Sequence, residues 1–210
     1  MTTRAERTAK GARSRQKLVE ATATLLRRQG FHATGLAEIV TESGAPRGSL
    51  YFYFPGGKEE LACAALAESG AMWRELLTRV IDAAPDLGTA VESVCRLLGE
   101  GLAASNWEHG CPLATVALEA SAASSAVREV CASHFAAWEE LIAARLGAAG
   151  ASPEDAARFG RFALAALEGA LLLAKVKRDP APLTEAGAML REMFARHMPI
   201  ARQEIDTPIS

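Results

Sequence analysis

Between Pro46 and Lys58 the chain reads Pro-Arg-Gly-Ser-Leu-Tyr-Phe-Tyr-Phe-Pro-Gly-Gly-Lys, a run better suited to meeting another molecule than to filling a core. Arg47 offers a planar fork of donors that matches the edge of a guanine, and Ser49 can reach a base or a phosphate. Gly48 sits inside an expected helix, where glycine costs about 1 kcal/mol against alanine. Close approach of the backbone to a ligand gives it a reason to be there. Tyr51, Phe52 and Tyr53 follow one another, and a helix cannot bury three successive rings on one side, so at least one faces outward. Lys58 opens the next helix and so opposes its dipole. Together with the N–H groups of Gly56-Gly57 it predicts an anion clamp.

The elements needed to hold these residues are legible nearby. Leu18, Val19, Thr22, Leu25 and Leu26 recur at helical spacing and predict a first helix over Arg13–Gln29, with Gly30 as a left-handed cap and Arg27 and Arg28 suiting its C-terminal dipole. Thr34 is the expected N-cap of a short second helix that buries Leu36, Ile39 and Val40 and stops at Ser43-Gly44. A third helix over Pro46–Phe54 starts with proline in its first turn and turns Leu50 and Phe54 inward, Arg47 and Tyr51 outward. Two short helices joined by a glycine-containing turn form a helix-turn-helix, whose second helix enters the major groove of DNA. The other reading is a plain three-helix subdomain with solvated Arg and Lys.

Composition sets the frame. Half of the 210 residues are apolar and 23% charged, with alanine and leucine abundant, which predicts an ordered all-α protein. The net charge of −2 is unevenly spread: residues 1–61 carry ten Lys/Arg against six Asp/Glu, the remainder thirteen against nineteen. A basic head on an acidic body suits a chain whose first part meets phosphate. Cys63, Cys95, Cys111 and Cys131 have no metal-ligand spacing and read as core thiols, and no cofactor or enzyme motif is found. The longest apolar stretch, Phe162–Ala174, contains Glu168 and falls short of the ~20 residues a membrane span needs. With no signal peptide at its start, the chain is expected to be cytoplasmic.

The stretch from Thr34 to Leu61 resembles the DNA-binding signature of the TetR/AcrR family in Thr34, Gly44, Gly48, Leu50, Tyr51, Phe54, Lys58 and Leu61 together. Pro-Gly-Gly-Lys at residues 55–58, Gly-Cys-Pro-Leu from Gly110, the Glu168–Ala174 stretch and Pro182-Leu183 resemble the LmrA/YxaF-like subgroup. That resemblance implies a cytoplasmic homodimer, usually a repressor, that leaves its operator DNA when a small-molecule effector binds its C-terminal domain. It also implies that Thr34, Tyr51, Tyr53 and Lys58 meet phosphates, while Arg47, Gly48, Ser49 and Phe52 face bases. Phe52 stands where the family often has His or Tyr and cannot make a polar base contact.

The body is expected to be helical over Lys58–Ala83, Leu87–Ala104, Pro112–Ala122, Ser125–Ala148, Pro153–Lys177 and Leu183–Met198. The division expected is a helix-turn-helix domain over residues 1–61 and a ligand-binding and dimerisation domain over 62–210. Trp73, Trp107, Phe135, Trp138 and Phe162 are candidates to line a ligand pocket, or are simple core. Glu168, Leu172, Leu183, Leu190 and Phe194 are candidates for a dimer interface in which the last two helices pair across a twofold axis. Glu168 could instead bind a donor on the ligand. The alternative is a central monomer core. His109 and His134 read as isolated surface or satisfied residues. A small-molecule binding module without a regulatory role is the alternative function.

Overall fold

A computed structural model describes residues 4–197, with side chains from residue 11 onward; the tail after Pro199 lies outside them. The described residues form nine helices and no strand: α1 (Arg4–Ala33), α2 (Leu36–Ser43), α3 (Arg47–Tyr53), α4 (Gly57–Ala83), α5 (Leu87–Ala104), α6 (Pro112–Ala120), α7 (Ser125–Ala148), α8 (Pro153–Lys177) and α9 (Ala181–His197). The all-α expectation is met.

Helices α1–α3 and the start of α4 make the head. Leu18, Leu25, Ile39, Leu50, Phe54 and Leu61 are all buried in its core. Gly44 takes a left-handed conformation, φ 58°, and its N–H closes α2 onto the Thr41 carbonyl, which sets the turn into α3. Gly30 also has positive φ, 78°, and breaks the last turn of α1.

Three local expectations are corrected. The first helix begins at Arg4 rather than Arg13. Pro46 holds the N-cap position of α3 instead of its first turn. Thr34 does not cap α2, a position that falls to Gly35. The Thr34 hydroxyl instead donates to the Gly30 carbonyl at 2.7 Å, and its N–H reaches the Phe31 carbonyl at 3.3 Å.

In the body α5 packs on α9, α7 on α8, and α8 on α9, while α1 of the head packs against both α4 and α6. Leu183, Leu190 and Phe194 are buried within this assembly, on the inner side of α9. They are therefore core residues of a single chain, which corrects their assignment to a dimer interface: their apolar surface is already covered by the chain's own helices. Trp138 spans from α7 to α4, its Nε1–H donating to the Gly70 carbonyl at 3.1 Å. Cys95, Cys111 and Cys131 are buried thiols, as expected of core cysteines, and Cys63 is half-buried. Among the described residues no helix is long and apolar enough to cross a membrane.

Candidate nucleic-acid interface and ligand cavity

α3 is only seven residues long, with no side-chain cap at either end, so its place depends on Leu50 and Phe54 anchoring it in the head. That anchoring turns the opposite side outward. Arg47 and Gly48 are exposed, Ser49 is half-buried, and Tyr51 and Phe52 keep 65% and 75% of their surface open. Two adjacent aromatic rings in solvent are unfavourable by the apolar area they leave wet. A methyl group added at Gly48 would meet no atom of the chain within 4 Å. Nothing inside the fold therefore demands glycine at that position. Tyr53 behaves differently: it is half-buried, with its hydroxyl close over Gly11 of α1 and its ring edge-on to Phe52, 4.8 Å between centroids.

The clamp expected at Gly56-Gly57 is not open. Glu60 folds back so that its carboxylate accepts the Gly56 N–H at 2.8 Å, and the Gly57 N–H reaches the Phe54 carbonyl at 2.9 Å. The chain supplies its own anion at this helix start. Lys58 leans toward the end of α1, donating to the His32 carbonyl at 3.3 Å with its ammonium 4.5 Å from the Phe31 ring centroid. Burial lowers its pKa, with nearby Glu119 acting the other way. Thr34 is 1% exposed with both hydrogen-bonding groups occupied, so the expected phosphate contact has no hydroxyl to make it.

Head and body are joined by polar contacts. The Glu119 carboxylate of α6 accepts the His32 N–H at 2.7 Å, and the His32 Nε2 lies 3.2 Å from the Glu119 carbonyl, so that nitrogen carries the hydrogen. Ser124 donates to Glu59 of α4 at 2.8 Å. The two ends of α6 thus touch different things: Cys111, its N-cap, borders a cavity, and Glu119 holds the end of α1.

That cavity has a volume of about 170 Å³ and lies among α1, α4, α5, α7 and α8. Trp73 and Trp138, both expected as pocket residues, line it with Leu77, Leu98 and Leu164. Its polar members are Arg27, His109 and Glu168. Trp107 and Phe135 border an open groove of about 980 Å³ that shares Cys111, Leu164, Glu168 and Leu171 with the cavity. Phe162 lines neither of these; it is 57% exposed, turned outward by its register on α8, which corrects its assignment to a pocket. Leu172, Leu173 and Val176 share that outward side.

Glu168 borders both the cavity and the groove, with the Cys111 thiol as its neighbour inside the chain. Burial raises the pKa of both groups, and the carboxylate further disfavours the thiolate. His109 is not an isolated surface residue: burial and then the Arg27 charge lower its pKa. It stands beyond a turn in which Asn106 and Trp107 both adopt positive φ, 51° and 66°, and no residue type there announces that geometry. Arg27 could not be singled out either, because a basic residue in the last turns of a helix is common.

Residues 18–65 match the tetR family of bacterial regulatory proteins, and residues 88–189 match the C-terminal domain of LmrA/YxaF-like transcriptional regulators. The chain is 35% identical over 170 residues to the HTH-type transcriptional regulator YxaF of Bacillus subtilis, covering 81% of this chain and 89% of that one. It is 31% identical over 183 residues to LmrA of the same organism, covering 87% and 97%. In fold it is similar to a TetR transcriptional regulator from Chloroflexus aurantiacus, TM-score 0.75 at 24% identity over 92% of this chain and all of that one. A regulatory protein TetR from Rhodobacter sphaeroides gives 0.74 at 23% identity over 88% and 98%. The matched families and relatives are transcriptional regulators, not enzymes.

Proposed function

Because the chain belongs to the TetR family of transcriptional regulators, with an LmrA/YxaF-like C-terminal domain, we propose that it is a cytoplasmic homodimeric repressor that a small hydrophobic ligand releases from operator DNA. The observation that carries this reading is the outer face of α3: two exposed rings beside a helical glycine that the fold itself does not need.

Laid in a major groove, that face brings Arg47 and Ser49 to base edges, and Gly48 lets the helix backbone come close. Tyr51 turns its phenol to a phosphate. Phe52 makes an apolar contact with a thymine methyl, the contact its chemistry permits. Lys58 and Tyr53 flank the helix and add charge and a hydroxyl toward the phosphates. Residues 1–61 then form the DNA-binding domain and 62–210 the ligand-binding and dimerisation domain, with α4 running out of one into the other. The pairing surface is the outward stripe of α8, with Phe162, Leu172, Leu173 and Val176, joined by Met189 of α9.

The 170 Å³ cavity is the effector site. α6 begins at its wall and ends on the His32 N–H, so a ligand that favours another position of α6 changes how α1 and the head are held. Release requires differential affinity: moving a balance from 1:99 to 99:1 takes roughly 10⁴-fold preference for the released form.

Selection of DNA by the purified protein from a random duplex pool tests the reading. It should enrich a palindrome-like site, and Tyr51→Ala should bind that site at least ten-fold more weakly. Recovery of no preferred sequence by the folded dimer would refute it.

A further inference from the structure

Arg27 belongs to α1, a helix of the head, yet it lines the cavity of the body. Its Nε is enclosed from solvent and has no hydrogen-bond partner. Buried donors are nearly always satisfied, so the unpaired Nε shows that the chain's own groups do not neutralise this guanidinium, whose side chain borders the cavity. A guanidinium presents five donors in a rigid fork, keeps its charge in proteins, and pairs best with a planar anion such as a carboxylate.

The surroundings favour the same partner. Glu168 is the acid on the cavity wall, but no ion pair joins it to Arg27, which leaves the guanidinium without a carboxylate of the chain. Near His109 the charges are mostly positive: besides burial, Arg27, Lys175 and Arg28 all disfavour its protonated form, and Glu108 alone opposes them. The remaining wall is apolar, with Trp73, Leu98, Trp138 and Leu164. A cavity of ~150 Å³ accommodates a benzene ring, so about 170 Å³ suits a single substituted ring or a short branched chain.

We propose that the cavity takes a small apolar acid whose carboxylate is held by the Arg27 guanidinium, so that the ligand's charge is fixed directly to α1 of the DNA-binding head. This rests on the reading of the cavity as the effector site, and it names both the ligand's chemistry and its anchor. α1 kinks at Gly30, one turn beyond Arg27, and the ligand therefore acts next to the joint where α2 begins. The arrangement gives the head a second link to the cavity besides α6.

The test is titration calorimetry of the full-length protein at pH 7.5 with 4-ethylbenzoate, 4-ethylbenzamide and 4-ethylbenzylamine. The acid should bind at least ten-fold more tightly than the amide or the amine. In Arg27→Met that advantage should vanish while amide affinity stays within about two-fold, and Arg27→Lys should keep part of it. Thermal melting of each variant establishes that it is folded; if Arg27→Met does not fold, the acid-to-amide ratio of the unaltered protein and of Arg27→Lys decides. Equal binding of acid and amide, or an acid preference untouched in folded Arg27→Met, overturns the Arg27 assignment and leaves the cavity reading standing. Preference for the amine overturns it in favour of Glu168. Binding of none of the three by the folded protein overturns the cavity reading as well.

Discussion

Gly48 occupies a helical position at which alanine is favoured by about 1 kcal/mol, and a methyl group there meets nothing of the chain. Gly48→Ala should therefore raise the melting temperature slightly, by the equivalent of ~0.5–1 kcal/mol, while weakening operator binding at least ten-fold. Calorimetry and a gel shift on one preparation separate the two effects, and a variant that binds as well as the parent would remove the close-approach argument. Thr34 makes the opposite case. Its buried hydroxyl is bound to the Gly30 carbonyl, so Thr34→Val should lose about 1–2 kcal/mol of stability yet leave the salt dependence of DNA binding unchanged, because no phosphate contact is lost. A shallower slope of affinity against salt would return Thr34 to the interface.

At the level of elements, α5, α7 and α8 run over Leu87–Ala104, Ser125–Ala148 and Pro153–Lys177, the bounds read from the sequence. They were legible because breaks such as Pro85-Asp86 and Gly150 interrupt the helical pattern, and the structure adds a cap at each start: Asp86, Ser124 and Ser152 accept the N–H three residues on. The start of α1 was not legible, since residues 4–12 have no apolar stripe to mark a buried face. The closed clamp was missed because any of several acids could fold back onto Gly56, and only the three-dimensional path selects Glu60. The cap at Asp86 also gives a pH prediction. The Thr89 N–H and then its hydroxyl hold the Asp86 carboxyl below its ordinary pKa. That contribution is complete above the unfolded value of ~3.9 and is lost as pH falls through the lower folded value. Asp86→Ala should cost about 1 kcal/mol at neutral pH, and the gap between variant and parent should close below about pH 4 in denaturant titrations.

Across the whole molecule, periodicity showed which residues are apolar and helical but not which neighbour covers them. Phe162 and Leu190 both lie on amphipathic helices; one ends outside and the other in the core, because α9 lies against α5 and α8 on a single side. The exposed side of α8 is where pairing is proposed, so Leu172→Glu should yield a monomer by light scattering with unaltered helix content. A dimer of unchanged dissociation constant would move the interface elsewhere.

The inward burial of Leu183, Leu190 and Phe194 bears on regulation in the cell. On the proposed pairing these three residues take no part in the joint, and two copies would meet through the outward stripe of α8 and Met189 alone. With the proposed pairing, the two-headed form grows as the square of copy number when copies are few. Were the chain the repressor proposed, silencing would then deepen more steeply than abundance, and dilution at cell division would loosen it.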